Sequence, residues 1–150
     1  MKPHKKEAVL ELLIQTDPSG VVELEGELDR VKMIPFSGIV GGPVFQGIIE
    51  PCGVDTQITN ACDVRHMSAR YMLTGKDFTG MCCHIYVENN GWFTDGARPR
   101  PWTSVPSFIT DSPVLAAILH RNCFVGEGLR EEDGLHIRFF EVETDLHEGD

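Results

Sequence analysis

Short runs of β-forming residues, separated by glycine and proline, are the feature that most restricts the fold of this chain. The 150 residues include 15 Gly and 9 Pro, and the runs between them are rich in Val, Ile, Thr, Phe and Tyr. Long stretches with helical periodicity are nearly absent. This pattern is typical of an antiparallel all-β domain. The length is that of one ordinary domain, so we expect residues 1–150 to form a single unit.

Nine runs are predicted to be strands because of their alternation and composition. They are residues 8–15, 31–45 with a break at Pro35, 47–50, 54–59, 67–74, 81–89, 106–110, 122–127 and 135–143. One short helix is predicted near 112–120, with Asp111 or Ser112 as N-cap and Pro113 as the first helical residue. Residues 1–6 and 144–150 are predicted to be frayed termini.

Eight or more short antiparallel strands can form either a sandwich or a closed barrel. We expect a single antiparallel β-barrel of about eight to ten strands, because closure removes the exposed edges of a sheet. An eight-stranded barrel is either filled by side chains or just wide enough for one small ligand. The lumen is therefore the place where function is expected.

Charge and cysteine content exclude several classes of partner. Lys and Arg number 13 against 23 Asp and Glu, a formal net charge of −10, which excludes nucleic acid and anionic membranes as main partners. No apolar stretch approaches the length of a membrane span, and the N-terminal run lacks a signal-peptide core. The odd number of cysteines, 5, indicates reduced thiols and a cytoplasmic location.

Three consecutive predicted strands each have one face with ionisable side chains. If these faces line the lumen, they form an acid–base set of a cation, carboxylates, an imidazole and a phenol. The candidate catalytic residues are Asp55, Arg70, His84, Tyr86 and Glu88. The alternative is that they form the solvated outer face of a sheet, which is the commoner arrangement in antiparallel sheets.

No metal or cofactor is expected. The histidines at 66, 84, 120 and 136 lack the spacing of a recognised metal motif, and the glycine-rich run at 41–47 is not followed by a helix that could hold a phosphate. A proline-bearing loop is predicted between two tryptophans. Its aromatic and cationic residues could close over a ligand, clamp an anionic group or pack on a second subunit: Trp92, Arg98, Arg100 and Trp102.

Several local patterns, in order, resemble a family of small, mostly bacterial proteins catalogued as domain of unknown function 3237. They are the Gly-Gly-x-x-Phe-x-Gly run at 41–47, Gly-Val-Asp at 53–55, Ala-Arg-Tyr at 69–71, Val-Glu-Asn-Asn-Gly at 87–91, the strand start at 106–108 and the run at 119–128. The resemblance implies a compact barrel similar to the calycin and allene oxide cyclase type. It also implies that Asp55, Arg70 and Glu88 face a shared pocket, and we include Phe45 among the expected ligand-binding residues.

The sequence thus favours a small-molecule-binding barrel, with cofactor-independent isomerase, cyclase or lyase chemistry on a hydrophobic molecule that carries a carbonyl or carboxylate. In this hypothesis Arg70 holds an oxyanion, Glu88 or Asp55 is the base, and His84 or Tyr86 returns the proton. The alternatives are a non-catalytic ligand-binding or accessory subunit, and a structural homo-oligomer. A homodimer or higher homo-oligomer is expected in either case.

Overall fold

The computed structural model describes residues 5–94 and 101–142, and these form one antiparallel sheet that closes on itself. Its ten strands are β1 (Lys5–Thr16), β2 (Val22–Glu25), β3 (Arg30–Gly41), β4 (Phe45–Ile49), β5 (Val54–Thr59), β6 (Arg65–Asp77), β7 (Cys82–Phe93), β8 (Trp102–Thr110), β9 (Phe124–Glu131) and β10 (Gly134–Val142). One 3₁₀ turn (Pro18–Gly20) and one helix, α1 (Pro113–Leu119), complete the described chain.

Closure depends on β1, which pairs with β10 on one side and with β3 on the other. From β10 the ring continues through β9, β8, β7 and β6. β4 and β5 both bridge β6 and β3, at different heights, so they share one position of an eight-membered ring. β2 pairs only with β3 and extends outside the ring. The predicted antiparallel barrel is thereby confirmed.

Alternating residues of each strand fill one half of the lumen. The fully buried side chains include Leu10, Phe45, Leu73, Ile85 and Phe139, and Phe108 packs edge-on against Phe124 and Phe139. Helix α1 inserts Leu115 and Leu119, neither of which is exposed, into the same core. This half of the barrel is therefore a closed, dry core, and the helix covers its end.

The helix begins where its sequence predicts. Ser112 is the N-cap, its Oγ accepts a hydrogen bond from the Leu115 amide at 3.3 Å, and Pro113 occupies the first turn. The Ser112 hydroxyl also donates to Asp77 Oδ2 at 2.7 Å, which ties the helix to the end of β6. Asp77 further accepts from Thr79 and Met81 in the turn before β7. These hydrogen bonds hold the pKa of the Asp77 carboxyl below its usual value.

Several strand boundaries differ from those predicted. β3 runs without a break through Pro35, which sits opposite Val54, and the chain turns before Phe45, so the predicted run 31–45 comprises two strands. β2 was not predicted. Tryptophans 92 and 102 lie in β7 and β8, so the predicted loop is shorter, and its residues 95–100 lie outside the described part. β1 begins at Lys5, so residues 5 and 6, predicted to be frayed, belong to a strand. The other residues predicted to be frayed, 1–4 and 144–150, lie outside the described residues.

Two further findings bear on the expectations from composition. The five cysteines are free thiols, and only Cys83 is buried. Among the described residues, no helix is long and apolar enough to cross a membrane.

We expect Asp77→Asn to make folding less sensitive to acid. Because the pKa of Asp77 is lowered in the folded state, its carboxylate stabilises the fold above the unfolded-state pKa, about 3.9, and that stability is lost as the pH falls through the folded-state pKa. Urea unfolding at pH 7 should show Asp77→Asn to be less stable than the wild type, and the difference should shrink below about pH 4. A difference that stays constant down to pH 2.5 would contradict this role.

Candidate functional site

A cavity remains in the half of the lumen opposite the helix. Its volume is about 80 Å³, which is room for several water molecules or one small organic ring. Its walls are mostly apolar and come from all around the ring: Ile14, Ile34, Phe36, Met67, Ala69, Trp102, Leu135 and Ile137. The polar residues of the lining are Thr16, Asp55, Gln57, Tyr71, Asn89 and Arg130. A mostly apolar cavity with a few convergent polar groups is the usual form of a small-molecule site.

Three of the lining residues lie in one row across adjacent strands. Asp55 of β5 is opposite Ala69 of β6, and Ala69 is opposite Asn89 of β7. Directly paired residues share a face of the sheet, so Asp55 and Asn89 point into the lumen about 10 Å apart, two strand spacings. Ala69 between them contributes only a methyl group. The row therefore has a carboxylate at one end, an amide at the other and open space over the alanine.

Tyr71 lies two residues along β6 from Ala69, on the same face. It is 2% exposed, and its ring packs edge-on against Phe36 with centroids 5.2 Å apart. Burial, with a smaller contribution from the negative charge of Asp55, raises the pKa of the Tyr71 phenol far above its usual value. Tyr71 therefore stays protonated, and its hydroxyl is a neutral hydrogen-bond donor at any physiological pH.

Two of these buried polar groups lack hydrogen-bond partners. Among the described residues, none pairs with the Tyr71 hydroxyl or with either end of the Asn89 amide, although Asn89 is completely buried. Gln57, in contrast, donates from Nε2 to Asp55 Oδ2 at 2.8 Å, which orients the carboxylate. Native proteins rarely bury unpaired polar groups, since each costs about 1–3 kcal/mol. Tyr71 and Asn89 therefore bring unused hydrogen-bonding capacity to the wall of this cavity.

Trp102 forms a wall of the cavity because β9 makes room for it. A Cβ atom added to Gly128, its partner on β9, would collide with the Trp102 indole. The indole also meets Phe93 edge-on, with centroids 6.0 Å apart. The glycine thus allows a large flat side chain to lie inside the barrel, and the structure places Trp102 at the cavity, where the sequence predicted a ligand contact.

Four of the predicted catalytic residues face outward, so their expected position in the lumen is wrong. Arg70, His84, Tyr86 and Glu88 lie on the outer face of β6 and β7, where Arg70 and His84 are exposed. Tyr86 donates to Glu88 at 2.8 Å, and Arg70 Nε lies 3.8 Å from the same carboxylate. The alternative stated above, a solvated outer face, describes these residues correctly.

His84 has a local role on that outer face. Its Nδ1 lies 2.8 Å from Asp111 Oδ2, and its backbone amide donates to Asp111 Oδ1. These contacts lower the pKa of the Asp111 carboxyl. The pair joins β7 to the segment before α1, at the end of the barrel away from the cavity.

Two predicted ligand-binding residues also lie away from the cavity. Trp92 is on the outer face, 61% exposed, and stacks on His66 with ring centroids 4.4 Å apart. Phe45 is 1% exposed in the packed core near α1. Arg98 and Arg100 lie outside the described residues. Of the five predicted catalytic residues, Asp55 alone lines the cavity. It does so together with Gln57, Tyr71 and Asn89, which were not predicted as site residues.

Sequence reasoning missed Tyr71, Asn89 and Gln57 as site residues. Alternation along each strand puts Gln57 on the same face as Asp55, and Tyr71 on the opposite face from Arg70. A closed barrel puts the more apolar faces of β6 and β7 inside together with the more polar face of β5. Which face of each strand turns inward depends on the pairing register between strands, and the alternation within one strand does not determine that register.

One cluster outside the lumen has the composition of a metal site. The ligand atoms of Glu131, Asp133 and His136 lie within 4.8 Å of one another, at the exposed hairpin between β9 and β10. His136 Nε2 is 2.6 Å from Asp133 Oδ1, and this contact lowers the pKa of Asp133. Ion pairing within a surface turn accounts for the arrangement, so we assign no metal to it.

Comparison with known proteins places this cavity in a family context. The family described as "Protein of unknown function (DUF3237)" matches residues 5–142. The chain belongs to this family. A UPF0311 protein from Clostridium acetobutylicum is 33% identical over 157 residues, which cover 95% of this chain and 96% of the relative.

Solved structures of similar fold include one of an enzyme. A protein of unknown function from Clostridium acetobutylicum is 25% identical, with a TM-score of 0.75 over 95% of this chain and 99% of that one. A structure described as an enzyme from Penicillium herquei has a TM-score of 0.64 and 14% identity, over 95% of this chain and 96% of that one. At that identity the likeness shows a shared fold.

We expect Tyr71→Phe to leave the protein as stable as the wild type or to stabilise it by about 1 kcal/mol, because it removes a buried hydroxyl that has no partner. Tyr86→Phe is the matched control on the outer face of the next strand. It breaks the hydrogen bond to Glu88 and should destabilise by about 0.5–1 kcal/mol. Urea unfolding measures both. A clear loss of stability in Tyr71→Phe would show that its hydroxyl is satisfied within the folded protein.

Proposed function

We propose that this protein binds one small organic molecule inside the barrel, with the apolar body of the ligand against the cavity walls and a polar group between Tyr71 and Asn89. The observation that carries the proposal is the pairing of an apolar cavity with buried hydroxyl and amide groups that have no partner among the described residues. A ligand oxygen can accept from the Tyr71 O–H or the Asn89 N–H, and a ligand hydroxyl can also donate to the Asn89 carbonyl oxygen; each such hydrogen bond recovers part of the free energy that burial of these groups costs.

The chemistry that the lining can perform is acid–base catalysis without a cofactor. Asp55 offers a carboxylate and Tyr71 a protonated phenol in one enclosed space, and acid–base steps need such a pair in reach of one substrate. Isomerase, cyclase or lyase chemistry on a hydrophobic carbonyl compound is the reaction class that we propose. The structural neighbour from Penicillium herquei, described as an enzyme, supports catalysis on this fold by analogy and says nothing about the type of reaction.

Binding can be tested with two probes that differ by one hydroxyl group. We expect fluorine NMR to show that 4-fluorophenol binds the purified protein about tenfold more tightly than fluorobenzene, because only the phenol can pair with Tyr71 and Asn89. Ala69→Leu should abolish binding of both probes, since the added side chain fills the space over the row. Asn89→Leu should remove the preference for the phenol.

The controls for this experiment are substitutions on the outer face. Asn90→Leu changes the neighbouring amide, which faces outward and contacts His66 at 3.1 Å, and should leave both affinities unchanged. Circular dichroism establishes that each variant is folded. Equal affinity for the two probes, or binding that survives Ala69→Leu in a folded protein, would contradict a ligand site in this lumen.

A further inference from the structure

A polar groove continues the lumen beyond the cavity, toward the start of β6. Its volume is about 230 Å³, and Gln57 lines both the groove and the cavity. The groove carries charged and polar side chains from four neighbouring strands: Glu23 and Glu25 of β2, Arg30 and Lys32 of β3, Gln57 and Thr59 of β5, and Arg65 of β6. A ligand longer than the cavity would therefore extend into a charged space.

Arg65 belongs to the same inner face as the cavity. It pairs with Thr59 of β5 and with Phe93 of β7. Along β6 it precedes Met67 and Ala69, two residues of the cavity lining. Residues two and four apart in a strand point to the same side of the sheet. The Arg65 side chain thus stands on the inner face, where the groove meets the cavity.

Arg65 is also the one cation of the groove that has no carboxylate partner among the described residues. Lys32 Nζ lies 3.4 Å from Glu23 Oε1, and the Arg30 guanidinium lies 3.6 Å from Asp63 Oδ1. Both of these pairs are exposed to solvent. The charge of Arg65 is therefore available to an anionic ligand.

The surroundings of Arg65 leave one donor unused and orient its guanidinium. The guanidinium carbon lies 5.5 Å from the centroid of the Phe93 ring, and Nε is buried with no hydrogen-bond acceptor in the described part of the chain. The planar guanidinium of an arginine stacks on aromatic rings and donates to both oxygens of a carboxylate. Since an unpaired buried donor costs free energy, a carboxylate at this position would recover part of that cost.

We infer that Arg65 binds a carboxylate of the ligand, and that the ligand is an amphipathic monocarboxylate with its ring in the cavity. This inference rests on the proposed function and specifies its ligand class and one residue that determines specificity. The lengths agree, because Arg65 and Ala69 are four residues apart, about 13 Å along β6. A two-carbon linker places a carboxylate about 6 Å from the centre of a ring over Ala69, and the extended Arg65 side chain spans the rest.

The other charged groups near this path do not take over the role. Glu25 is opposite Arg30, and β2 is three strand spacings from β6, which puts Glu25 about 14 Å from Arg65. Asp55 and Arg130 line the cavity, and both take part in interactions within the protein. Their charges are opposite, so together they give the cavity no net charge that would favour an anion.

Fluorine NMR with two probes of equal shape, 3-(4-fluorophenyl)propanoate and 3-(4-fluorophenyl)propanamide, tests the inference. At neutral pH the first probe is an anion and the second is neutral. We expect the wild-type protein to bind the propanoate about tenfold more tightly, because hydrogen bonds to an ionised group are stronger than neutral ones. Arg65→Gln should make the two affinities equal and leave that of the amide unchanged. Arg65→Met, which keeps an unbranched side chain on Phe93, tests the same role if Arg65→Gln fails to fold.

The matched control is Arg70→Gln, on the outer face of the same strand, which should keep the preference for the propanoate. Arg130→Gln should keep it as well. Circular dichroism establishes that each variant is folded. A preference that survives Arg65→Gln, or that Arg130→Gln removes, would overturn the assignment to Arg65.

The same measurements separate this inference from the proposed function. Equal affinities in the wild type, with binding of both probes lost in Ala69→Leu, would overturn the monocarboxylate ligand and leave the proposed function standing. Binding of 4-fluorophenol alone would have the same consequence. Absence of binding by both probes and by 4-fluorophenol would overturn the proposed function and the inference together.

Discussion

Pairing of β1 with both β3 and β10 is the constraint on which the rest of the structure depends. Closure gives every strand of the ring an inner face that water cannot reach freely, so each of these strands must present side chains suited to a dry lumen on every second residue. Opposite pairs such as Leu12 and Ile137 on β1 and β10 meet this requirement. The sheet face that a residue occupies is consequently decided by the whole ring and not by its own strand.

The described residues fill the two ends of the lumen differently. Near α1 the lumen is filled by large side chains and capped by two leucines of the helix. At the other end a methyl group at Ala69 and the glycines of β9 replace bulk, and a Trp side chain lies against one of those glycines. Where a small residue faces a large one across the lumen, the two side chains together fill the space between the strands. Here Trp102 takes the space over Gly128 of β9, whereas Ala69 of β6 lines the part of the lumen that stays empty beside polar groups.

The fold was largely predictable from the sequence, whereas the site was only partly so. Turn residues and alternation are local signals, and they located most of the strands and the Ser112 cap correctly. β2 was not predicted because all four of its residues are exposed, so its sequence shows no alternation of buried and exposed positions. Pro35 was interpreted as a break, but it pairs with Val54 within a continuous β3. The site required register: Asp55 was placed in the lumen, but Arg70, His84 and Tyr86 were grouped with it on the assumption that polar faces turn the same way.

The position of the charged residues follows from the cost of burying them. Arg70 and Glu88 face each other on the outside, where solvent screens them and the pair contributes little. Inside the lumen the same pair would carry a desolvation penalty that its attraction does not reliably offset. A dry lumen is therefore restricted to few charges, and neutral polar groups tolerate burial in it better than charged ones. Tyr71 and Asn89 are neutral groups of this kind, and burying them without a partner among the described residues costs stability at the cavity.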